Sequence, residues 1–393
     1  MATGHQDDAL ARGEPAGSVP RHRASRQGEL LDLPEPGERP VTMAGVVDPV
    51  ARILLDSPVP HLDRTFDYVV PAAMAQEALP GTRVVVRFGE QVMRGWVWER
   101  AATTTHIGRL SPLRRVVSDL PVLPETSRRL IEAVASRSAG TRSDVVRLAL
   151  PTRHATTENA PRDLPSWERP SNECGWQHYV GGEELLTRLA DGDAPRVAWC
   201  ALPARDEDGL SEPGSSSDSV GRSSLTTEPW QVCLARAVQA CLAGARGAVI
   251  VVATTEQAED LASRLRVELG DEPVVVLSAE HGPARRYRAF LALLLGRARV
   301  VVGTRAAAFA PVRRLGLAAI WDDGDNRLVE PHAPYAHART VLALRSSLEG
   351  AGLLIGGYSR SVETQSLVEQ GWCQDLSAPR HVVRGVVPRT EVP

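Results

Sequence analysis

The chain of 393 residues is 43% hydrophobic and 24% charged, with a net charge of −3, which suits a globular protein of two or three domains and singles out no class of partner. Its five cysteines are scattered without a Cys-x-x-Cys pair, so neither a disulfide framework nor a zinc site follows from them, and they read as reduced thiols in a cytosolic protein. No run of eighteen apolar residues occurs, which excludes a transmembrane helix.

Residues 1–45 are polar and rich in Pro, Gly and Arg, and lack the apolar stretch of a signal peptide, so they are expected to form a disordered leader. Val50–Leu55 and Phe66–Val70 are strand candidates, the second closed by Pro71. Arg83–Phe88, the Gly89-Glu90 turn and Val92–Trp98 read as a hairpin of β-branched and aromatic residues. Segment 46–118 is therefore expected to be a small β-rich domain. Between Pro80 and Arg153, 13 arginines face 6 acidic residues, a basic stretch in an otherwise acidic chain, as in a nucleic-acid-binding module or a plain solvated face.

From Pro124 the period becomes helical. Leu130, Ile131, Val134 and Ala135 form one stripe, and Val145, Val146, Leu148 and Leu150 suggest a second helix. Residues 119–155 fit a winged-helix-like DNA-binding module or two packing helices, and 156–195 read as a linker. From Arg196 short apolar strands alternate with helices, the pattern of a parallel sheet covered on both faces. Residues 196–375 are thus expected to be an α/β lobe of RecA-like type, followed by a tail, 376–393. Within the lobe, 205–228 hold six acidic residues, seven serines and three glycines and read as a disordered insertion.

Ligands of such sheets sit at the carboxyl ends of the strands. There the chain lacks a necessary part: all 45 of its basic side chains are arginine, and the phosphate loop of a nucleotide motor needs a lysine. Nor does a glycine cradle follow the first strand of the lobe, where Pro203-Ala204-Arg205 runs into the acidic insertion.

Two blocks carry a family resemblance. Pro60–Pro71 reads PHLDRTFDYVVP and Pro80–Trp98 reads PGTRVVVRFGEQVMRGWVW; Val301–Leu317 reads VVGTRAAAFAPVRRLGL, followed by an acidic motif and by Tyr335, His337, Ala338 and Arg339. Both blocks, in this order, resemble the PriA (primosomal protein N′) family of replication-restart helicases, in register from about Val50 to Trp372. The resemblance implies a multi-domain protein: a 3′-DNA-end-binding domain, a short helical module and a first helicase lobe. It implies that Phe66, Asp67, Gly89 and Arg114 capture the 3′ end of a nascent strand. An aromatic ring can stack on a base, a carboxylate can accept from the 3′ hydroxyl, a glycine admits the backbone and an arginine can pair with phosphate. Core packing for Phe66 and turn capping for Asp67 are the alternatives. Gly303, Thr304 and Arg305 match a loop that touches the nucleic-acid backbone in related helicases, or one retained for packing.

The resemblance also implies ATP, Mg²⁺ and zinc as family cofactors, and here the match breaks. The acidic D-E-E-H motif stands as Trp321, Asp322, Asp323 and Gly324, and tryptophan cannot ligate a hard cation. A one-residue slip would offer Asp322, Asp323 and Asp325 instead. The family's G-S-A-T-P stretch reads Gly356-Gly-Tyr-Ser-Arg, and its cysteine-rich zinc segment and second motor lobe are not seen. The expectation is a degenerate, apparently truncated member of actinobacterial type with no catalytic residue, no metal and no cofactor of its own. It would bind forked DNA with a 3′ end and act with a single-stranded DNA-binding protein and the replicative-helicase loading machinery, in the cytoplasm at the nucleoid and without a membrane partner. The alternatives are an ATP-dependent 3′–5′ helicase with an unconventional nucleotide site, and an α/β protein-interaction module that barely touches DNA.

Overall fold

Strand-forming, β-branched runs recur between residues 39 and 116, and they fold as such. The computed structural model describes residues 37–158, 176–204, 227–270 and 272–387. In chain order the first part holds β1 (Arg39–Pro40), β2 (Val50–Leu55), β3 (Thr65–Val69), β4 (Arg83–Phe88), β5 (Gln91–Ala101), β6 (Thr103–Thr104) and β7 (Arg115–Val116). β3-β2-β5-β4-β7 form one sheet, while β1 pairs with β6 as a separate ribbon. The sheet also closes. The Val69 amide donates to the Ser111 carbonyl and the Leu113 amide to the Val69 carbonyl (both 2.9 Å), while β7 pairs with β4. Segment 111–116 thus joins the two edges into a small barrel, which removes its exposed edges. Its interior is Ala51, Ile53, Leu55, Tyr68, Val84, Val86 and Val97, the alternate residues of four strands.

Two helices follow, α1 (Glu125–Arg137) and α2 (Arg142–Ala149), then a short α3 (Ala155–Glu158). Among the described residues they have neither the third core helix nor the strand wing of a winged-helix module. Their apolar stripes are spent on packing: Leu130, Ile131, Val134, Val145 and Val146 share one core with Trp96 and Trp98 of β5 and with the α/β lobe. Arg142 and Arg147 tie α2 to the barrel through Asp63 (3.2 Å) and Asp56 (2.7 Å).

The lobe comprises α4 (Gly182–Asp191), β8 (Arg196–Cys200), α5 (Trp230–Ala243), β9 (Gly247–Val251), α6 (Thr255–Leu269), β10 (Val274–Leu277), α7 (Pro283–Leu294), β11 (Val300–Gly303), β12 (Leu315–Trp321), α8 (Ala338–Glu349), β13 (Gly352–Gly357), α9 (Val362–Glu369), β14 (Gln374–Ser377) and α10 (Arg380–Val386). The seven strands are parallel in the order β10-β11-β9-β12-β13-β8-β14. Burial on both faces explains their unbroken apolar sequences, such as the wholly buried Gly247–Val251. Helix starts follow local chemistry: Thr254 and Gln257 form a reciprocal capping box on α6.

Four boundaries differ from the sequence expectation. The last residues of the expected leader form β1, with Arg39 donating to the His106 and Gly108 carbonyls; residues 1–36 lie outside the described ones. The expected linker contains α4 and the buried Trp176 and Tyr179, with 159–175 outside the description. The expected tail contributes the end of β14 and then α10, whose Val382 and Val386 enter the lobe core. Of the expected acidic insertion only Thr227 and Glu228 are described; the Thr227 hydroxyl donates to the Pro203 carbonyl (2.6 Å).

Candidate functional site

Strand alternation decides where the candidate 3′-end residues point. Phe66 pairs with the inward-facing Ile53 and lies on the barrel's inner side; Asp67 pairs with Arg52 on the outer side. The Phe66 ring meets Phe88 edge-on at 4.8 Å and carries the Arg64 guanidinium at 4.9 Å. Phe66 therefore packs at the barrel's end, next to the turn that contains Gly89, and the base-stacking role expected for it finds its ring already engaged. Gly89 has φ 59° and open space around it, so it serves the hairpin's left-handed turn position. Arg114 is exposed, and its amide bonds the Val85 carbonyl at the barrel seam.

Asp67 is half-buried beside the β1–β6 ribbon. The Thr104 hydroxyl donates to its Oδ2, and that same hydroxyl accepts the His106 amide at 3.0 Å. The Oδ1 oxygen has no hydrogen-bond partner among the described residues. The neighbouring Arg52 is shared between Glu99 (3.2 Å) and Glu38 (3.9 Å), so with Asp67 this outer row carries more acidic than basic charge. Phe66 and Gly89 are thus brought together, and Asp67 stands apart from them on the other face of β3. Thr104, which holds Asp67, gave no signal in sequence beyond lying in a threonine run.

The Gly303-Thr304-Arg305 loop has its own local reasons. A Cβ on Gly303 would sit 2.0 Å from the Leu277 carbonyl oxygen, so close strand packing requires glycine there. Thr304 is buried, and Arg305 spends its fork on Glu330 (2.9 Å) and the Arg327 carbonyl. Both side chains are engaged within the lobe, in keeping with the packing alternative for this loop.

The carboxyl edge of the lobe sheet is filled with rings. Trp321, at the end of β12, stacks on Trp230, the first residue of α5, at 4.1 Å and 8°. It also touches Trp199 (5.5 Å) and Tyr358 (5.3 Å), and Trp199 continues to Trp176 (4.6 Å) and Tyr179 (5.7 Å). Burial pushes the Tyr179 hydroxyl up to about 12. The helix that would present its amino terminus to a phosphate thus opens with Pro229 and a stacked indole.

Of the three aspartates beside this edge, Asp323 and Asp325 are already committed. Asp322 is exposed at φ 54°, with its amide on the Gly356 carbonyl (2.7 Å). Asp323 is buried and its Oδ2 accepts from Arg339 (2.5 Å), Ser361 (2.6 Å) and Thr364 (2.7 Å). Burial alone would raise this carboxyl, but the hydrogen bonds from Ser361, Thr364 and Arg339, with the arginine's charge, hold it below the ordinary aspartate range. Asp325 caps the following turn and pairs with Arg327. The alternative Asp322–Asp323–Asp325 metal set is therefore overturned: an arginine already neutralises the buried carboxylate, and Gly324 adds no ligand. Stacked indoles and a carboxylate held by a guanidinium do not fit a triphosphate with its magnesium. Among the described residues, no group of three His, Cys, Asp or Glu could hold a metal ion, and no helix is long and apolar enough to cross a membrane.

A third polar cluster lies where barrel, helices and lobe meet. Glu158 is buried and accepts from Arg153 (2.6 Å), from Tyr287 of α7 (3.0 Å) and from Ser118. Arg83 of β4 donates to the Tyr287 oxygen (3.2 Å) and the Pro151 carbonyl. Burial would raise the Glu158 carboxyl, yet its hydrogen bonds from Ser118, Tyr287 and Arg153 hold it low.

Comparison with known proteins agrees with this division. The family described as 3′DNA-binding domain (3′BD) matches residues 52–151, so its span takes in the barrel from β2 onward together with α1 and α2. The chain is 42% identical over 336 residues to the probable replication restart protein PriA of Mycobacterium leprae, covering 84% of this chain and 48% of that protein. It is 42% identical over 333 residues to the Mycobacterium tuberculosis protein of the same description, covering 84% and 47%, and 24% identical over 349 residues to the Treponema pallidum replication restart protein PriA, covering 88% and 49%. The chain spans about half the length of these curated relatives. A weaker likeness is found to the helicase domain of Hef from Pyrococcus furiosus, with TM-score 0.33 and 16% identity, covering 54% of this chain and 40% of that one. With a 3′DNA-binding-domain match joined to a seven-stranded parallel-sheet lobe, and 42% identity over 84% of its length, the chain belongs to the PriA family of replication restart proteins.

Proposed function

We propose that this chain binds forked DNA at the 3′ end of a nascent strand and serves as a scaffold for reloading the replication machinery, without hydrolysing ATP. The observation that carries the reading is Asp67: it lies within the matched 3′DNA-binding domain, with one carboxylate oxygen held by Thr104 and the other open to accept from a 3′ hydroxyl. Gly89 at the barrel's end and Arg114 at its seam remain candidates, as a close-approach point and a phosphate partner. A single-stranded DNA-binding protein and the machinery that loads the replicative helicase are the partners this role calls for. The ring-filled sheet edge supports the second half of the proposal, because a triphosphate would have to displace the Trp230–Trp321 stack.

The test is binding to a labelled fork with a 3′ hydroxyl at the branch, beside the same fork ending in a 3′ phosphate, with ATP turnover followed in the same samples. A hydrogen bond to a charged acceptor contributes about 1.5–3 kcal/mol, so the hydroxyl fork should bind roughly 10- to 100-fold more tightly. Asp67→Ala should erase that preference. Asp67→Asn keeps a partner for Thr104 and separates recognition from folding. Equal binding of both forks removes the end-recognition assignment, and DNA-stimulated turnover removes the inactive-motor assignment.

A further inference from the structure

The outer face of the barrel is divided in two by register. One row across the strands is Leu54, Trp96 and Arg83; Leu54 and Trp96 are buried in the core shared with the helices and the lobe, and Arg83 is engaged with Tyr287. The next row is Arg94, Val85 and Arg115, because Val85 of β4 pairs with Arg94 on one side and Arg115 on the other. Beyond it lie Arg87 and Val92, paired with each other. Arg87, Arg94 and Arg115 are exposed, and none forms an ion pair with an acidic group among the described residues. Asp56, whose amide bonds the Arg94 carbonyl, is already paired with Arg147 (2.7 Å).

We propose that this exposed half-face of β4, β5 and β7 is a second DNA-binding surface, which takes the phosphate backbone of a double-stranded arm. The inference rests on the reading of the chain as a fork binder and adds a surface separate from Asp67. Charge complementarity selects a polyanion, since three unneutralised guanidinium groups share one face. No aromatic side chain lies among these exposed residues, so unpaired bases would find nothing to stack on. Arg94 and Arg115 flank one strand and stand about 10 Å apart, two strand spacings, a distance comparable with the groove of a duplex, about 12 Å wide. The surface reads backbone and not sequence.

The test uses the full chain and a duplex with both 3′ ends phosphorylated, so that no 3′ hydroxyl is offered, together with one of its single strands. Arg94→Gln with Arg115→Gln alters only exposed side chains, and an unchanged melting midpoint confirms folding. The double variant should lower the slope of log affinity against log salt on the duplex by about 1.8, roughly 0.9 for each phosphate that is no longer neutralised. Duplex affinity should fall about tenfold or more, with a smaller decrease on the single strand, while the preference for a 3′ hydroxyl fork is kept. An unchanged duplex slope overturns the proposal, and an equal or larger decrease on the single strand overturns its assignment to duplex. Failure of the wild-type chain to prefer the hydroxyl fork strikes the end-recognition reading instead and leaves the slope result standing.

Discussion

Two aspartates, one in the middle of β3 and one just past the end of β12, each receive hydroxyl hydrogen bonds and have opposite futures. Asp67 is half-buried, holds one hydroxyl through one oxygen and keeps the other oxygen uncommitted. Asp323 is buried and takes two hydroxyls and a guanidinium on a single oxygen, beside a wall of tryptophan. A carboxylate can become a recognition group only while it is reachable from solvent and not neutralised by the protein's own cation. Once a protein's own cation and donors satisfy it, it is a structural tie.

The comparison is broken most severely at the ring cluster. Trp321→Ala should cost about 3–5 kcal/mol, the range for truncating a large buried aromatic, and should leave nucleotide affinity undetectable. Denaturant midpoints and nucleotide titration check it; a loss below about 1 kcal/mol would mean that the rings are not core. Asp323→Ala comes next, because it strands the buried Arg339 without its partner, at about 3 kcal/mol. The pH dependence has a definite sign. The Asp323 carboxyl is held low in the folded state, so its contribution is present above the unfolded value, near pH 3.9, and lost as pH falls through its folded value. Urea midpoints between pH 3 and pH 6 should therefore fall at the acid end in the wild type, with that component missing in Asp323→Asn.

Smaller effects sharpen the comparison at the junction and the barrel tip. Tyr287→Phe removes one donor to the buried Glu158 and the acceptor used by Arg83, and should cost about 1–2 kcal/mol in thermal unfolding. Gly89→Ala meets no steric neighbour, so its expected cost, about 1 kcal/mol, is purely that of a left-handed backbone. A loss several times larger would show that the turn is packed against something more.

Local pattern made much of the fold legible. Val50–Leu55 and Arg83–Phe88 have the same bounds in sequence and in structure, because each is a short apolar or β-branched run ended by turn residues. The seam of the barrel was not legible: Ser111–Val116 alternates weakly and acquires its strand character only from two long-range partners. The ring cluster was equally hidden, since Trp176, Trp199, Trp230, Trp321 and Tyr358 come from five separate segments and meet only when the strands are parallel. Motif degradation at Trp321 was visible, but not that the substitution fills the site. For Phe66 and Asp67, the two-residue period of a strand already separates neighbours onto opposite faces. That rule, applied to the sequence, would have argued against one shared pocket.

The shared core has a consequence for how the molecule comes apart. Leu54, Trp96 and Trp98 of the barrel are buried in the same apolar cluster as α1, α2, α7 and α8, so the outer wall of one module is also the inner packing of the next. Cooperative unfolding follows the core and not the family boundary. A fragment cut just after β7 would expose that wall as an apolar patch and associate with itself. The smallest piece that folds is then longer than the barrel itself.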